Sequence, residues 1–255
     1  MYKNDLNDIS FSNLLWDIVA AATLLTRLPL PQAPDEAFDR QAENVWAFPV
    51  IGIIVGMITC VAGGIALGIG LNAPITAGLM LATSLIMTGA MHEDGLADCA
   101  DGFWGGFDPA RRLEIMKDSQ IGTYGVMALI IITGLRWMAL SATVSLGFSG
   151  VIAGAVLSRG ILPAVMTMVP NARDTGLSQT VGRPTQRTAA VTFASATVLA
   201  LIFIGFSAII AAVITALIAI AVTEIAKRKI GGQTGDVLGA IQILCETAVL
   251  ILLIA

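Results

Sequence analysis

Four acidic residues lie close together in the middle of the chain. Glu93, Asp94, Asp98 and Asp101 fall within nine residues. If the helix that begins at Ile75 continues through this cluster, the three aspartates occupy positions i, i+4 and i+7 and project from one face. Carboxylates at that spacing repel one another unless a hard cation such as Mg²⁺ binds their oxygens. We therefore predict a divalent-metal site, in preference to a solvated helix end whose acids face water.

The residues beside these aspartates extend the predicted site. Glu93 is rotated by about 100° from Asp94 around a helix of 3.6 residues per turn. In this position Glu93 is a candidate ligand of a second metal or a candidate general base. His92 is either a hydrogen-bonding neighbour or a second candidate for proton transfer. Gly95 and Gly102 lack side chains, which allows a partner helix or a phosphate to approach. The catalytic candidates are therefore His92, Glu93 and Asp94.

A segment shortly after the acidic cluster has the composition of an anion site. Lys117 and Ser119 supply a cation and a hydroxyl, and Gly122 and Gly125 follow just before an apolar run. Free backbone N–H groups at the start of a helix hold phosphate well. We predict that these four residues bind a phosphate of the substrate.

A second glycine-rich segment, residues 231–239, repeats this arrangement before the last apolar run. We predict that Thr234 contacts substrate and that Asp236 is either a metal ligand or the N-cap of the following helix. The same segment is also consistent with a flexible turn.

The composition indicates that these motifs belong to a membrane protein. Hydrophobic residues make up 56% of the 255 residues, charged residues make up 13%, and the mean hydropathy is +0.84. Uncharged runs of about 20 residues are typical of helices that cross a membrane. The predicted crossings are residues 47–71, 75–91, 124–148, 151–169, 189–222 and 237–255. We predict an all-α fold, a polytopic helical bundle that forms one membrane-embedded catalytic domain over residues 1–255.

The run at 189–222 determines the number of crossings. Its 34 residues exceed the length that one crossing needs, and Gly205 is a natural break. If this run is a hairpin, 11 of the 14 Lys and Arg residues fall on one side, in segments 27–46, 92–123, 170–188 and 223–236. Lys and Arg concentrate in cytoplasmic loops. We therefore predict about seven crossings of a bacterial inner membrane, with the active face in the cytoplasm.

The beginning of the chain has a different pattern. Residues 14–26 are an apolar stretch that includes Asp17 and is too short to cross, which indicates an interfacial or partly inserted helix. Met1–Asp8 has one basic and two acidic residues and no small-residue cleavage site, so we expect no removable signal peptide. The pattern leaves the placement of the N-terminus open.

Two arginines lie inside apolar runs, where a charge needs a buried partner or a polar cavity. For Arg136 and Arg159 the candidates are contact with a substrate phosphate, predicted for Arg159, and a structural ion pair with Glu246. The net charge of −4 gives no reason to expect nucleic-acid binding. The three cysteines are odd in number and widely spaced, so they indicate neither a disulfide framework nor a zinc site.

Three ordered motifs make the chain similar to one enzyme family. They are His-Glu-Asp-Gly-Leu-Ala-Asp-Cys-Ala-Asp-Gly at 92–102, Met-Lys-Asp-Ser-Gln-Ile-Gly-Thr-Tyr-Gly at 116–125 and Gly-Gly-Gln-Thr-Gly-Asp-Val-Leu-Gly-Ala at 231–240. Together with Thr26–Pro31 and Phe48–Gly52, they resemble the cobalamin synthase family, the adenosylcobinamide-GDP ribazoletransferases, over most of the chain.

This resemblance implies a reaction. Members of the family join adenosylcobinamide-GDP to α-ribazole or its 5′-phosphate, release GMP and use Mg²⁺, in the final assembly of the vitamin B12 nucleotide loop. It implies that the three clustered aspartates hold Mg²⁺ on the diphosphate, with Asp236 completing the metal environment. Glu93, or His92 in second place, would take the proton from the attacking hydroxyl. We expect membrane lipid to surround the protein. The sequence leaves open whether the protein is a homo-oligomer.

Two other functions are consistent with parts of the pattern. A CDP-alcohol phosphotransferase also uses an acid-rich helix, but its aspartates are spread further and an Ala-Arg pair follows its first Asp-Gly. An ion-coupled transporter would account for Arg136, Arg159 and Glu246 as charges on a pathway. It would not need three aligned acids beside a glycine-rich turn.

Overall fold

The computed structural model describes residues 11–255. Within this range every regular element is a helix, which confirms the all-α prediction. The expectation that Met1–Asp8 is no signal peptide lies outside the described residues.

Three short helices precede the bundle: α1 (Phe11–Leu25), α2 (Asp35–Asp39) and α3 (Gln41–Asn44). Asp17 of α1 is buried, although its segment is apolar. Its carboxylate pairs with Arg40 at 3.0 Å and accepts a hydrogen bond from the Trp46 indole at 3.2 Å. The negative charge of Asp17 is thus compensated by residues of the following segment. Helix α1 itself is too short to cross a membrane alone.

The remaining helices, in chain order, are α4 (Phe48–Gly68), α5 (Ala73–Thr88), α6 (Met91–Gly105), α7 (Pro109–Ile115), α8 (Thr123–Leu146), α9 (Ser149–Gly160), α10 (Leu162–Met168), α11 (Leu177–Val181), α12 (Gln186–Ile204), α13 (Ser207–Ile230) and α14 (Gly235–Leu252). A 3-10 turn, Val45–Ala47, joins α3 to α4. In the described part of the chain, six helical segments are long and apolar enough to cross a membrane, and the bent pair of α5 and α6 makes a seventh. This agrees with the predicted number of crossings.

The predicted hairpin in the long apolar run is confirmed. Gly205 lies between α12 and α13 with φ +57°, a left-handed conformation that favours glycine. The two helices pack against each other. The turn at residues 205–206, like those at 69–72 and 147–148, contains no Lys or Arg.

Small residues let the central helices approach closely. A Cβ on Gly52 of α4 would lie 2.5 Å from the backbone oxygen of Ala155 in α9. A Cβ on Gly160 of α9 would overlap the Cβ of Ala196 in α12. Contacts of this kind allow van der Waals packing between helix backbones, which is a main source of helix association in lipid. They place α9 between α4 and α12 in the interior of the bundle.

The helix that carries the acidic cluster is not a continuation of the preceding one. α5 ends at Thr88, and α6 leaves its axis at 86°. Gly89 and Ala90 are both left-handed, with φ +63° and +54°, so the ladder of i to i−4 hydrogen bonds stops and restarts. The condition that one helix continues from Ile75 through the acidic cluster is therefore not met. The spacing of the aspartates still applies, because α6 contains all of them.

Candidate active site

Glycine contacts hold α6 against the first turns of α14. A Cβ on Gly95 would lie 2.7 Å from the backbone oxygen of Asp236. A Cβ on Gly239 would lie 3.3 Å from the Cα of His92. The absence of both side chains lets the two backbones touch, as predicted for Gly95. The acidic cluster is thereby brought to the N-terminal end of α14.

Three carboxylates and one arginine meet at this crossing. Asp98 is half-buried and is close enough to interact with the negative charges of Asp236 and Asp94 and with the positive charge of Arg173. Asp236 is itself paired with Arg173, with 3.3 Å between Oδ2 and Nη2. Within residues 11–255, no group of three or more His, Cys, Asp or Glu side chains is arranged to hold a metal ion by itself. The site therefore concentrates negative charge without forming a complete metal cage.

The first turn of α14 has a conventional cap. Thr234 is the N-cap, and its Oγ1 accepts a hydrogen bond from the N–H of Val237 at 3.3 Å. Its hydroxyl also donates to Asp236 Oδ2 at 3.2 Å. The alternative that Asp236 is the N-cap is wrong, because Asp236 is the second residue of the helix.

Asp101 has a different environment from the other aspartates. It is 8% exposed, and its two oxygens accept the backbone N–H groups of Gly122 at 2.7 Å and Gly125 at 2.9 Å. A Cβ on either glycine would overlap the carboxylate. The N–H groups that we predicted to hold a substrate phosphate are thus engaged by the chain's own carboxylate at the start of α8.

Glu93 points into the bundle and not toward the other acids. Its Oε1 pairs with Arg136 Nη1 at 2.7 Å, and Arg136 Nη2 pairs with Glu246 at 2.7 Å. Arg159 pairs with the second oxygen of Glu246 at 3.3 Å, and Gln242 donates to the same oxygen at 2.7 Å. The ion-pair alternative for the two arginines is therefore confirmed. This network ties α6, α8, α9 and α14 together inside the bundle.

A cavity of about 540 Å³ opens at this crossing, and Asp94 and Asp236, but not Asp98, line it. Of the predicted site residues, His92, Asp94, Thr234 and Asp236 line it. Lys117 and Ser119 are exposed on the connection between α7 and α8 and do not line it. Arg159 and Glu93 are likewise absent from its wall, because both belong to the buried ion-pair network. The structure therefore separates the predicted residues into a cavity group and a group outside it.

Several polar residues of the cavity were missed in the sequence. Asn171, Ser178 and Gln233 form one hydrogen-bonded cluster, with Ser178 Oγ 2.9 Å from Asn171 Oδ1 and 2.8 Å from Gln233 Oε1. Arg27 and Arg173 also line the cavity. Arg173 was interpreted only as part of a positive-inside loop, and Arg27 only as part of the first motif. Their proximity depends on contacts between segments far apart in sequence, which periodicity does not reveal.

The comparisons with known proteins give the family of the chain. The family model described as "Cobalamin-5-phosphate synthase" matches residues 17–254. The chain belongs to the cobalamin-5-phosphate synthase family. The match includes both α6 and the start of α14, so the carboxylate crossing and the cavity are parts of the family domain.

Curated relatives cover nearly the whole chain. A protein of Bradyrhizobium diazoefficiens named "Adenosylcobinamide-GDP ribazoletransferase" is 41% identical over 242 residues, 94% of this chain and 93% of its own length. Proteins of the same name from Mesorhizobium japonicum and Brucella canis are 38% and 41% identical over 245 and 254 residues. They too are covered over 94% and 96% of their lengths. No solved structure matches the chain.

Membership in this family, together with the ion-pair network, leaves no role for the two alternative functions. A transporter would use Arg136, Arg159 and Glu246 as charges along an ion pathway, but in this structure they are paired with one another. The acid-rich helix shared with CDP-alcohol phosphotransferases belongs to a chain whose family is named for cobalamin synthesis.

Proposed function

We propose that this protein is an adenosylcobinamide-GDP ribazoletransferase, which joins adenosylcobinamide-GDP to α-ribazole or its 5′-phosphate. A ribose hydroxyl of α-ribazole attacks the phosphorus bound to cobinamide, the P–O bond to GMP breaks, and the hydroxyl proton passes to a base. The family membership and the names of the relatives support this reaction. The observation that carries the proposal is the cavity where Asp94 and Asp236 adjoin Arg173.

We also propose Mg²⁺ as the cofactor, held by Asp94, Asp98 and Asp236. Carboxylate oxygens are the donors that Mg²⁺ prefers, and Mg²⁺ is usually bound by one or two carboxylates plus substrate phosphates and waters. An incomplete protein cage of neighbouring carboxylates fits this mode of binding. When bound, the ion would neutralise charge on the diphosphate. Asp101 is left out of this set because both of its oxygens hold the start of α8.

The residues of the chain divide the remaining tasks. Arg173 lies against Asp236, where its guanidinium would contact a phosphate and orient it toward the cavity. Glu93 is engaged by Arg136, so it would fix the rotation of α6 and not accept a proton. The proton-accepting role moves to a group that lines the cavity, Asp94 or His92.

The proposed location is the inner membrane, with the site on the cytoplasmic face. The turns between α4 and α5, α8 and α9, and α12 and α13 contain no Lys or Arg. The acidic helix and the cavity lie at the opposite ends of these helices, together with most basic residues. Basic segments remain in the cytoplasm, so the cavity would open toward soluble nucleotide substrates.

The test is release of GMP by the purified protein in lipid nanodiscs. With adenosylcobinamide-GDP, α-ribazole and Mg²⁺, GMP and a corrinoid product should form in equal amounts. Omission of α-ribazole, or addition of EDTA, should stop both. Formation of CMP from a CDP-alcohol, or no GMP under any of these conditions, would contradict the proposed reaction. Unchanged turnover in EDTA would contradict the proposed cofactor alone.

A further inference from the structure

We propose that the cavity beside α6 is the binding site of α-ribazole, the acceptor substrate, and that Arg27 at its wall binds the 5′-phosphate of the phosphorylated form. This inference rests on the proposed function. It assigns one of the two substrates to one site and names the residue that would distinguish free from phosphorylated α-ribazole.

The size of the cavity favours the smaller substrate. Its volume of about 540 Å³ is within the usual range of small-molecule sites, about 300–1,000 Å³. α-Ribazole is a single nucleoside. Adenosylcobinamide-GDP carries a corrin macrocycle, an adenosyl group and a second nucleotide, and is several times bulkier. The cavity holds a nucleoside, whereas the corrin ring has to stay outside it.

The apolar part of the cavity favours dimethylbenzimidazole over guanine. Its wall includes the buried side chains of Leu25, Phe48, Leu162, Met166 and Leu238. The ring of α-ribazole carries two methyl groups and a single acceptor nitrogen, so most of its surface suits an apolar wall. Guanine has N–H donors and a carbonyl on its edges, and these would remain without partners there. The guanosine end of the other substrate is therefore a poor occupant.

The polar part faces the reacting groups. Asn171, Ser178 and Gln233 supply hydroxyl and amide groups in a buried cluster that can contact a ribose. Asp94 and Asp236 line the same cavity. A nucleoside whose ring occupies the apolar part would therefore present its ribose hydroxyls to the two carboxylates.

Arg27 is the unpaired cation of the cavity. In the described part of the chain its guanidinium makes no ion pair and no hydrogen bond, whereas Arg173 is paired with Asp236. The side chain of Arg27 packs over Gly89, where a Cβ would lie 2.8 Å from its Nε. Its backbone N–H donates to Met87 at 2.6 Å. The bend between α5 and α6 thus carries a free guanidinium at the cavity, which suits a phosphate through charge-assisted hydrogen bonds.

The test compares KM values for α-ribazole, α-ribazole 5′-phosphate and adenosylcobinamide-GDP in nanodiscs. Arg27→Gln should raise the KM for the 5′-phosphate about tenfold more than the KM for α-ribazole, since a charge-assisted contact is lost. Arg27→Lys should restore part of the preference. Arg111→Gln, an exposed arginine away from the cavity, is the matched control and should leave the ratio unchanged.

A second variant tests the apolar part. Leu24→Asn should raise the KM for both forms of α-ribazole about tenfold, because a polar group enters the apolar wall. Leu30→Asn, outside the cavity, should not change either value. Both variants are checked for folding by size exclusion before kinetics.

The outcomes distinguish this inference from the proposed function. A rise in the KM for adenosylcobinamide-GDP instead, unchanged KM values throughout, or turnover of α-ribazole but not of its 5′-phosphate would overturn the assignment while GMP release continued. If the wild-type protein released no GMP, direct binding would decide. Weaker binding of α-ribazole 5′-phosphate to Arg27→Gln than to wild type would support the subsite, and equal binding would overturn it.

Discussion

The carboxylates of α6 belong to two groups that differ in their contacts. Glu93 and Asp101 are buried, and each holds a neighbouring part of the bundle, an arginine of α8 or the first N–H groups of that helix. Asp94 is exposed at the cavity, and Asp98 is half-buried among other acids. One short acidic segment thus fastens neighbouring helices with two of its carboxylates and offers charge to a ligand with the other two.

This difference shows how a membrane enzyme can keep acids at its surface. Buried carboxylates are tolerated when arginine or backbone N–H groups compensate them. Uncompensated ones are costly, so they are retained where a cation or substrate can bind. The comparison predicts that substitutions of the compensated carboxylates reduce stability and that substitutions of the uncompensated ones reduce activity.

The largest expected effect is on the buried network. Glu246→Gln leaves Arg136 and Arg159 without their shared carboxylate. Removing one partner of a buried ion pair costs about 3–5 kcal/mol. We expect a sharply lower unfolding temperature in nanodiscs and poor recovery of folded protein. Glu224→Gln is the control, since Glu224 is exposed and pairs with the exposed Lys227, and it should leave the unfolding temperature nearly unchanged. Equal stabilities of the two variants would contradict the comparison.

The next effect compares one carboxylate from each group. Asp98→Asn should lower kcat for GMP release by about 10²–10³-fold, as is typical when one electrostatic group is removed from a site. Glu93→Gln should reduce stability but keep most of the activity of the folded fraction, because Glu93 contacts Arg136 and not the cavity.

A binding measurement checks the same pair of variants without turnover. Mg²⁺ should raise the unfolding temperature of the wild type and of Glu93→Gln, and this increase should be lost in Asp98→Asn. Asp35→Asn, an exposed aspartate in α2, serves as the control for the change of charge. A loss of activity in Glu93→Gln as large as in Asp98→Asn would restore Glu93 as the proton acceptor.

The smallest expected effect concerns the glycines that enclose Asp101. Gly125→Ala would press a methyl group against the Asp101 carboxylate, and overpacking of this kind costs about 1–3 kcal/mol. Gly134→Ala in the same helix meets nothing within 4 Å and should be neutral or slightly stabilising. Thermal unfolding of both variants measures the difference. If Gly125→Ala kept full stability but lost its affinity for adenosylcobinamide-GDP, the turn would bind phosphate after all.

The sequence by itself determined the class of the fold and the position of most helices. Uncharged runs of about 20 residues have few stable alternatives in lipid, where each backbone polar group must be satisfied within the segment. The same reason makes Gly205 a readable break, since a 34-residue apolar run exceeds one crossing. The motifs of α6 and α14 also predicted the acids of the proposed site, because carboxylates in an apolar chain are costly unless they have a partner or a ligand.

Tertiary structure alone decided what each of those acids does. The bend at Gly89 and Ala90 puts a non-glycine residue in a left-handed conformation, which local preference disfavours and the surrounding packing holds in place. Whether a carboxylate meets Arg136, the N–H of Gly122 or an open cavity depends on side chains brought together from distant segments. Periodicity records which face of a helix a residue occupies, but not which partner that face will meet.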